Sequence, residues 1–141
     1  MDDDRTEDDK IQQKYLKFKT LQQRVQEIEE YLEALQQQQQ ELHNTIRGVK
    51  GLSKISPDTE VLAPLSNGIF VKTKLQENSA LIVNVGANIT VEKSLPEVIA
   101  LLEQQAQELQ EKVPLTQAVL QELQTQVQQQ YEELQQKIKE P

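Results

Sequence analysis

The sequence offers few side chains that could carry out chemistry, and their spacing fits no catalytic or metal site. It has no cysteine and one histidine, His43, which follows Leu42. A metal site or a nucleophilic triad needs several ligands or partners that converge on one point. Gly68 and Gly86 do not have the spacing of a phosphate-binding loop. We therefore expect neither an enzyme nor a cofactor or metal site, and we interpret the many glutamates as solvated helix faces.

Composition and charge narrow the class of protein. The 141 residues are 36% hydrophobic and 4% aromatic, and the formal net charge is −8. Such a composition favours long helices packed along narrow seams over a thick core. The negative charge argues against a nucleic-acid partner, and no stretch reaches the ~18–20 apolar residues that cross a membrane. Because cysteines are absent and "MDDDRTEDDK" lacks the apolar core of a signal peptide, we expect a cytoplasmic protein.

The first third of the chain carries a heptad pattern. Alternate steps of three and four residues meet Ile11, Lys14, Phe18, Leu21, Val25, Ile28, Leu32, Leu35, Gln39, Leu42, Ile46 and Val49. This pattern predicts a coiled-coil helix with one narrow apolar stripe. The five consecutive glutamines within it are predicted to be helical, because Gln favours helix and only Gln39 falls on the stripe. We expect a disordered acidic tail over 1–9 and a helix over 10–51.

A second heptad pattern predicts another helix over 94–140. Its stripe comprises Ile99, Leu102, Ala106, Leu109, Val113, Thr116, Leu120, Leu123, Val127, Gln130, Leu134 and Lys137. Ser94 and Glu97 have the spacing of a capping box, and Pro96 falls in the first turn. Pro114 predicts a kink or local break one turn before it. We expect the two helices to pair antiparallel, with the lysines near the start of the first close to Glu132 and Glu133.

The connector, residues 52–93, changes from helical to strand periodicity. "IFVKTKL" and "LIVNV" alternate with a period of two and contain β-branched residues, which is typical of strands. "SNG" at 66–68 and "GAN" at 86–88 predict tight turns. Four short strands beside thin helices cannot close a core, so two β-hairpins should join those of other subunits in an obligate oligomer. The residues expected at that interface are Leu62, Leu65, Ile69, Val71, Leu75, Leu81, Val83, Val85, Ile89 and Val91.

The connector resembles a known family. "EVLAPLSNGIFVKTKL", followed by "LIVNVGANITVEKS" leading into a long helix, resembles the prefoldin family, specifically the α-class subunits of the archaeal type. The resemblance covers nearly the whole chain, and two hairpins, where the β class has one, are a feature of the α class. It implies an α+β fold: an antiparallel two-helix coiled coil whose two central hairpins join a multi-subunit β-barrel platform.

The resemblance also implies a function. It predicts a holdase chaperone without ATP or another cofactor, in a hexamer of two α and four β prefoldin subunits. The coiled-coil tips would bind non-native proteins and pass them to a group II chaperonin. Carried onto this sequence, the client-binding residues would be Ile11, Tyr15, Phe18, Leu21, Val127, Tyr131, Leu134 and Ile138.

Two other functions are compatible with parts of the sequence. The helices alone would suit a structural coiled-coil adaptor, although an adaptor has no need of a multi-subunit β hub. The helical arm of a nucleic-acid enzyme is disfavoured by the negative charge and by the missing catalytic groups. The tip residues themselves have a simpler interpretation as seam packing, which applies least to Tyr15, Tyr131 and Ile138, because these lie off the stripe.

Overall fold

A computed structural model describes the backbone of residues 2–139 and the side chains of residues 6–138. The elements in chain order are helix α1 (Asp2–Leu52), strands β1 (Glu60–Ser66), β2 (Ile69–Lys74), β3 (Ala80–Gly86) and β4 (Ile89–Ser94), and helix α2 (Leu95–Lys139). They form two compact units. The helical unit combines α1 up to Gln38 with α2 from Leu109, and the hairpin unit comprises Gln39–Glu108.

The heptad prediction for α1 is confirmed. Between Thr6 and Lys50 every stripe position is buried or half-buried, and every other side chain is exposed. Leu21 and Leu35 are the most buried, at 7% and 4% exposure. Gln39 is half-buried while the glutamines on either side of it are exposed, so the glutamine run is helical. The core along α1 is therefore a single narrow seam.

Helix α2 follows its predicted stripe as well. All predicted stripe positions from Ile99 to Lys137 are buried or half-buried. The backbone N–H of Glu97 donates to Ser94 Oγ at 3.3 Å, which is one of the two hydrogen bonds of the predicted capping box. The local break expected near Pro114 is absent, since α2 is continuous through it. Pro114 and Gln110 both lie on the exposed side, so water can reach the Gln110 carbonyl that loses its N–H partner.

The start of α1 differs from the expected disordered tail over residues 1–9. The helix already begins at Asp2. Nothing between Thr6 and Lys10 terminates a helix, because this stretch has no glycine or proline, and Glu7 and Lys10 have a spacing that stabilises helices. Met1 and Glu140, the outermost residues of the predicted tail and second helix, lie outside the described residues.

The two helices run antiparallel within each unit. In the helical unit, Lys14 Nζ lies 3.1 Å from Glu133 Oε2, which confirms the expected pairing of the lysine-rich start of α1 with the glutamates near the end of α2. In the hairpin unit, Lys50 Nζ lies 2.9 Å from Glu103 Oε1. The side chains of these pairs are about one-third to one-half exposed. Ion pairs with this exposure contribute roughly 0–1 kcal/mol to stability. The pairs show that the helices run antiparallel and add little to stability.

The connector forms two separate antiparallel hairpins, β1–β2 and β3–β4. Each closes through a two-residue turn in which both residues have positive φ: 48° and 78° at Asn67 and Gly68, and 48° and 60° at Ala87 and Asn88. The two predicted turns are therefore confirmed. Each hairpin also has a register irregularity just before its turn, between Pro64 and Ser66 and between Asn84 and Gly86.

Candidate functional site

An apolar groove lies between the start of α1 and the end of α2 in the helical unit. Its volume is about 480 Å³. We call it the terminal groove, and it is lined by Ile11, Gln12, Tyr15, Leu16, Leu134 and Ile138. Five of these six side chains have a large apolar part, so the groove offers hydrophobic contacts to a ligand.

The heptad pattern explains how the groove is built. Ile11 and Leu134 occupy stripe positions, where Leu134 is 7% exposed, and they form the partly covered base of the groove. Tyr15, Leu16 and Ile138 lie off the stripe and are 50%, 64% and 71% exposed. A two-helix seam cannot cover apolar residues beyond its stripe. Contiguous exposed apolar surface of this kind marks interaction sites.

Polar and aromatic contacts join side chains in and beside the groove. Lys19 Nζ lies 5.6 Å from the centre of the Tyr15 ring, within the range of a cation–π contact. Tyr131 OH accepts a hydrogen bond from Gln135 Nε2 at 2.7 Å. The Tyr131 ring contacts Phe18, with 6.0 Å between centroids. Phe18 and Tyr131 each lie about one helical turn along the chain from a residue of the groove, Tyr15 and Leu134, without lining it.

Two of the predicted client-binding residues lie elsewhere. Leu21 is 7% exposed and packs in the seam, which leaves it little surface for a ligand. Val127 lines a second groove of about 440 Å³ together with Val25. The remaining lining of that groove is polar: Gln22, Gln26, Glu29 and Gln124. The structure thus brings together Ile11, Tyr15, Leu134 and Ile138, places Phe18 and Tyr131 next to them, and separates the other two.

Leu16 is a groove residue that the heptad pattern does not predict. It lies next to Tyr15 on the outer side of the helix, where the heptad pattern predicts side chains exposed to solvent. The available signal was the run of apolar and aromatic residues off the stripe near the start of α1.

The hairpins present a second apolar surface. Of the residues predicted at a subunit interface, Leu62, Leu65, Ile69, Val71, Val85 and Ile89 are between 41% and 67% exposed. Leu75, Leu81, Val83 and Val91 are half-buried. Prediction from alternating periodicity missed Phe70 and Ile82, which are 55% and 78% exposed. Both hairpins are two-stranded, so each described strand has one edge without a neighbouring strand.

One side chain connects the hairpins to the end of α1. Asn78 Nδ2, in the segment between β2 and β3, lies 2.7 Å from the Ile55 carbonyl oxygen and 3.3 Å from those of Leu52 and Ser53. The last carbonyls of a helix have no N–H partner within the helix. The Leu52 carbonyl also accepts from the Ile55 N–H at 3.2 Å. Asn78 therefore caps the turn that follows α1 through its side chain and fixes the linker between the hairpins against that turn.

The described residues contain no cluster of three or more His, Cys, Asp or Glu side chains that could hold a metal ion. Neither α1 nor α2, over residues 2–139, is long and apolar enough to span a membrane.

Two long helices with a pair of β-hairpins between them in the sequence define a coiled-coil protein with central hairpins, and apolar side chains are exposed on both parts. The chain belongs to the prefoldin family: the family model "Prefoldin subunit" matches residues 21–140.

Curated relatives agree with this assignment. The chain is 38% identical to the prefoldin subunit alpha of Nitrosopumilus maritimus over 65 residues, which are 46% of this chain and 44% of the relative. It is 27% identical to that of Thermofilum pendens over 96 residues, covering 68% and 74%, and 31% identical to that of Pyrococcus horikoshii over 86 residues, covering 61% and 57%. The matches to the first and third thus span about half the length of those relatives. The archaeal α-class resemblance is confirmed.

The fold agrees with a solved structure. The cryo-EM structure of filamentous PFD from Methanocaldococcus jannaschii matches with a TM-score of 0.69 over 79% of this chain and 92% of that chain, at 18% sequence identity. At this identity the likeness shows the fold alone. It confirms the predicted coiled coil with central β-hairpins.

Proposed function

We propose that this chain is the α subunit of an ATP-independent holdase chaperone, and that its terminal groove binds exposed apolar segments of non-native proteins. The observation that carries the proposal is the groove itself, whose rim residues Tyr15, Leu16 and Ile138 are half or more exposed. Membership of the prefoldin family supports the same role. The family is not an enzyme family, and we propose no catalytic residue and no cofactor.

The size of the groove suits weak, reversible holding. Fully burying one Leu, Ile or Phe side chain is worth ~1.5–3 kcal/mol before ordering costs. Three or four such contacts give one groove only modest affinity for an unfolded segment. Several grooves in one assembly would raise the overall affinity through multivalency, while each contact stays easy to release. Capture and transfer then need no nucleotide.

The proposed client-binding residues differ in how directly they contribute. Ile11, Tyr15, Leu134 and Ile138 line the groove, to which we add Leu16. Phe18 and Tyr131 lie about one helical turn from it along the chain. Leu21 and Val127 would support it through the seam and the neighbouring groove.

The proposed partners are other prefoldin subunits, non-native proteins and a group II chaperonin, in the cytoplasm. The exposed apolar residues of the hairpins support a subunit interface, because such surfaces on unpaired strands favour aggregation unless they are covered. We propose a hexamer of two α and four β subunits, in which these hairpins join a shared β platform. Neither a nucleic acid nor a membrane is a proposed partner.

Removing the helix ends tests the proposal. In the assembly with β subunits, deletion of residues 1–20 and 128–141 takes away both sides of the terminal groove and leaves the hairpin unit whole. We expect suppression of client aggregation to be lost while the hexamer remains in native mass spectrometry. Full holdase activity in this truncation would refute the assignment of the groove.

Native mass spectrometry also tests the structural adaptor, the alternative function, which the comparisons do not favour. Mixed with a β-class subunit, an adaptor should give no complex of two plus four chains.

A further inference from the structure

Two grooves lie along one side of the helical unit. Besides the terminal groove, a second groove of about 440 Å³ lies further along the same pair of helices. In both grooves, wall residues directly follow a stripe residue: Tyr15 and Ile138 in the terminal groove, Gln22 and Gln124 in the second. Side chains at this heptad position lie along one edge of an antiparallel seam. The two grooves therefore open on the same side.

An apolar floor joins the two grooves. Its residues recur every seven positions and come from both helices: Ile11, Phe18, Val25, Val127 and Leu134. The first and last of these line the terminal groove, and the two valines line the second. Between the grooves, the Phe18 ring contacts that of Tyr131, with 6.0 Å between centroids. We call the two grooves, with this aromatic pair between them, the long groove.

The long groove has the length of a short peptide segment. Its lining along α1 extends from Ile11 to Glu29. At ~1.5 Å per residue this stretch of helix is about 27 Å long. An extended chain advances ~3.3 Å per residue, so the long groove accommodates about eight residues of it.

The walls of the long groove carry amides rather than charges. Of the side chains that line the two grooves, only Glu29 is charged, in a chain in which 27% of the residues are charged. Four lining residues are glutamines: Gln12, Gln22, Gln26 and Gln124. All four are exposed, and no hydrogen bond to another described residue occupies their side-chain amides. They are free to bind a ligand.

Free amides above an apolar floor match the main chain of an unfolded segment. A glutamine amide has both donors and an acceptor, so it can bind either the N–H or the C=O of a peptide group. Peptide groups that enter an apolar groove lose water and need such partners. Tyr131 adds a donor, because its hydroxyl accepts from Gln135 and keeps its own proton. A helix or a paired strand has already satisfied its peptide groups, so these walls favour an extended segment without such pairing.

We propose that the long groove binds an extended, uncharged segment of about eight residues from a non-native protein, and that the wall glutamines bind its main chain. Apolar side chains of the segment lie on the floor. Because the main chain is common to all sequences, one groove then holds clients that share no sequence motif. The inference rests on the proposed holdase function and adds the feature that is recognised, which is unpaired main chain together with apolar side chains.

The test is a peptide titration followed by NMR. In the assembly with β subunits, only this chain carries labelled methyl groups, so its own grooves are observed. The probe is a capped, uncharged peptide of about eight residues that alternates leucine and serine. We expect the methyl signals of Ile138 in the terminal groove and Val127 in the second groove to shift with one shared dissociation constant, because one peptide contacts both. A shift of Ile138 without Val127 would contradict the long groove.

An ester analogue of the probe isolates the contribution of the main chain. Replacing alternate peptide N–H groups by ester oxygens keeps the side chains and removes donors, and we expect binding to weaken about tenfold. Gln22→Ala with Gln124→Ala should weaken binding of the parent peptide and reduce the difference between the two peptides. Gln23→Ala with Gln129→Ala is the matched control at exposed positions outside both grooves, and it should change neither.

The outcomes separate this inference from the proposed function. Circular dichroism checks that each variant is folded. If both peptides shift Ile138 with equal affinity, or if the wall variant binds as the control does, main-chain recognition is refuted and the holdase function stands. If neither peptide shifts Ile138, the terminal groove does not bind apolar segments, and the proposed function fails together with the inference.

Discussion

The rings of Phe18 in α1 and Tyr131 in α2 lie with their centroids 6.0 Å apart and their planes inclined by 36°. Phe18 is a stripe residue and half-buried, whereas Tyr131 lies beside the stripe and is 45% exposed. The pair thus marks where the packed seam of the helical unit gives way to the terminal groove. Phe18 packs in the seam and the neighbouring groove residues are proposed to bind clients, so stability and binding can be tested separately.

Removing the Phe18 ring should destabilise the helical unit. Phe18→Ala removes part of the seam and the aromatic contact, and we expect a loss of about 1–3 kcal/mol in the free energy of unfolding, since the ring is only half-buried. Tyr131→Phe keeps the ring and removes only the hydroxyl that accepts from Gln135, so it should change stability little. Denaturant unfolding followed by circular dichroism measures both. Equal stability of the Phe18→Ala protein and the parent would contradict the assigned packing.

Asn78 should be important for the stability of the hairpin unit. Asn78→Ala removes the side-chain donor of the Ile55 carbonyl, just after α1, at a cost of about 1–3 kcal/mol. Asn78→Asp should cost more, because a carboxylate would face carbonyl oxygens with no proton to donate. Asn44→Ala, at an exposed position of α1, is the control and should be nearly neutral. The melting temperatures should rank the control above Asn78→Ala, and that above Asn78→Asp; any other order would count against the cap.

Substitutions at the equivalent first positions of the two turns should change the melting temperature in opposite directions. Asn67 and Ala87 occupy equivalent positions with the same φ of 48°. Asn tolerates the left-handed region and Ala is strained there, by roughly 1 kcal/mol. Asn67→Ala should therefore lower the melting temperature, and Ala87→Asn should raise it. If both changes shift it in the same direction, backbone strain is not the property that distinguishes the turns.

A polar atom in the seam predicts a stabilising change. Gln130 Oε1 is buried and accepts no hydrogen bond from any described group. Gln130→Leu removes this unpaired acceptor and should raise stability by about 1 kcal/mol. Gln129→Leu, on the exposed side of the same turn, is the control and should not stabilise. Gln39→Leu, at a polar stripe position of α1, should also raise the melting temperature, because a polar stripe residue fixes the helix register at a cost in stability. An unchanged or lower melting temperature would count against this role.

Most of the fold follows from periodicity that the sequence displays directly. The stripes from Ile11 and from Ile99 place the buried side of each helix correctly, because a two-helix seam has one narrow contact surface. The turns at Asn67 and Asn88 follow from the backbone preferences of asparagine and glycine. These are local properties, and local sequence encodes them.

What the sequence does not reveal depends on how segments meet. The contact of Asn78 with carbonyls more than twenty residues earlier in the chain has no local pattern. The exposed apolar side chains of Phe70 and Ile82 are not predicted, because an alternating pattern assigns the apolar residues to one face of each strand. The helical start at Asp2 and the continuity through Pro114 show that charge runs and proline predict helix ends poorly where water can solvate the freed backbone groups.

The most direct test of the central claim compares two exposed leucines of the helical unit. Leu16 lines the terminal groove and is 64% exposed, and Leu115 lies outside it at 68%. Because both are solvent-exposed, replacing either by Ser should leave the fold and the assembly intact. In an aggregation assay with a denatured client, we expect Leu16→Ser, alone and with Ile138→Ser, to lose most of the protection, and Leu115→Ser to protect as the parent does. The assignment of the groove as the client-binding site would be contradicted if all variants protect the client equally, or if only Leu115→Ser loses protection.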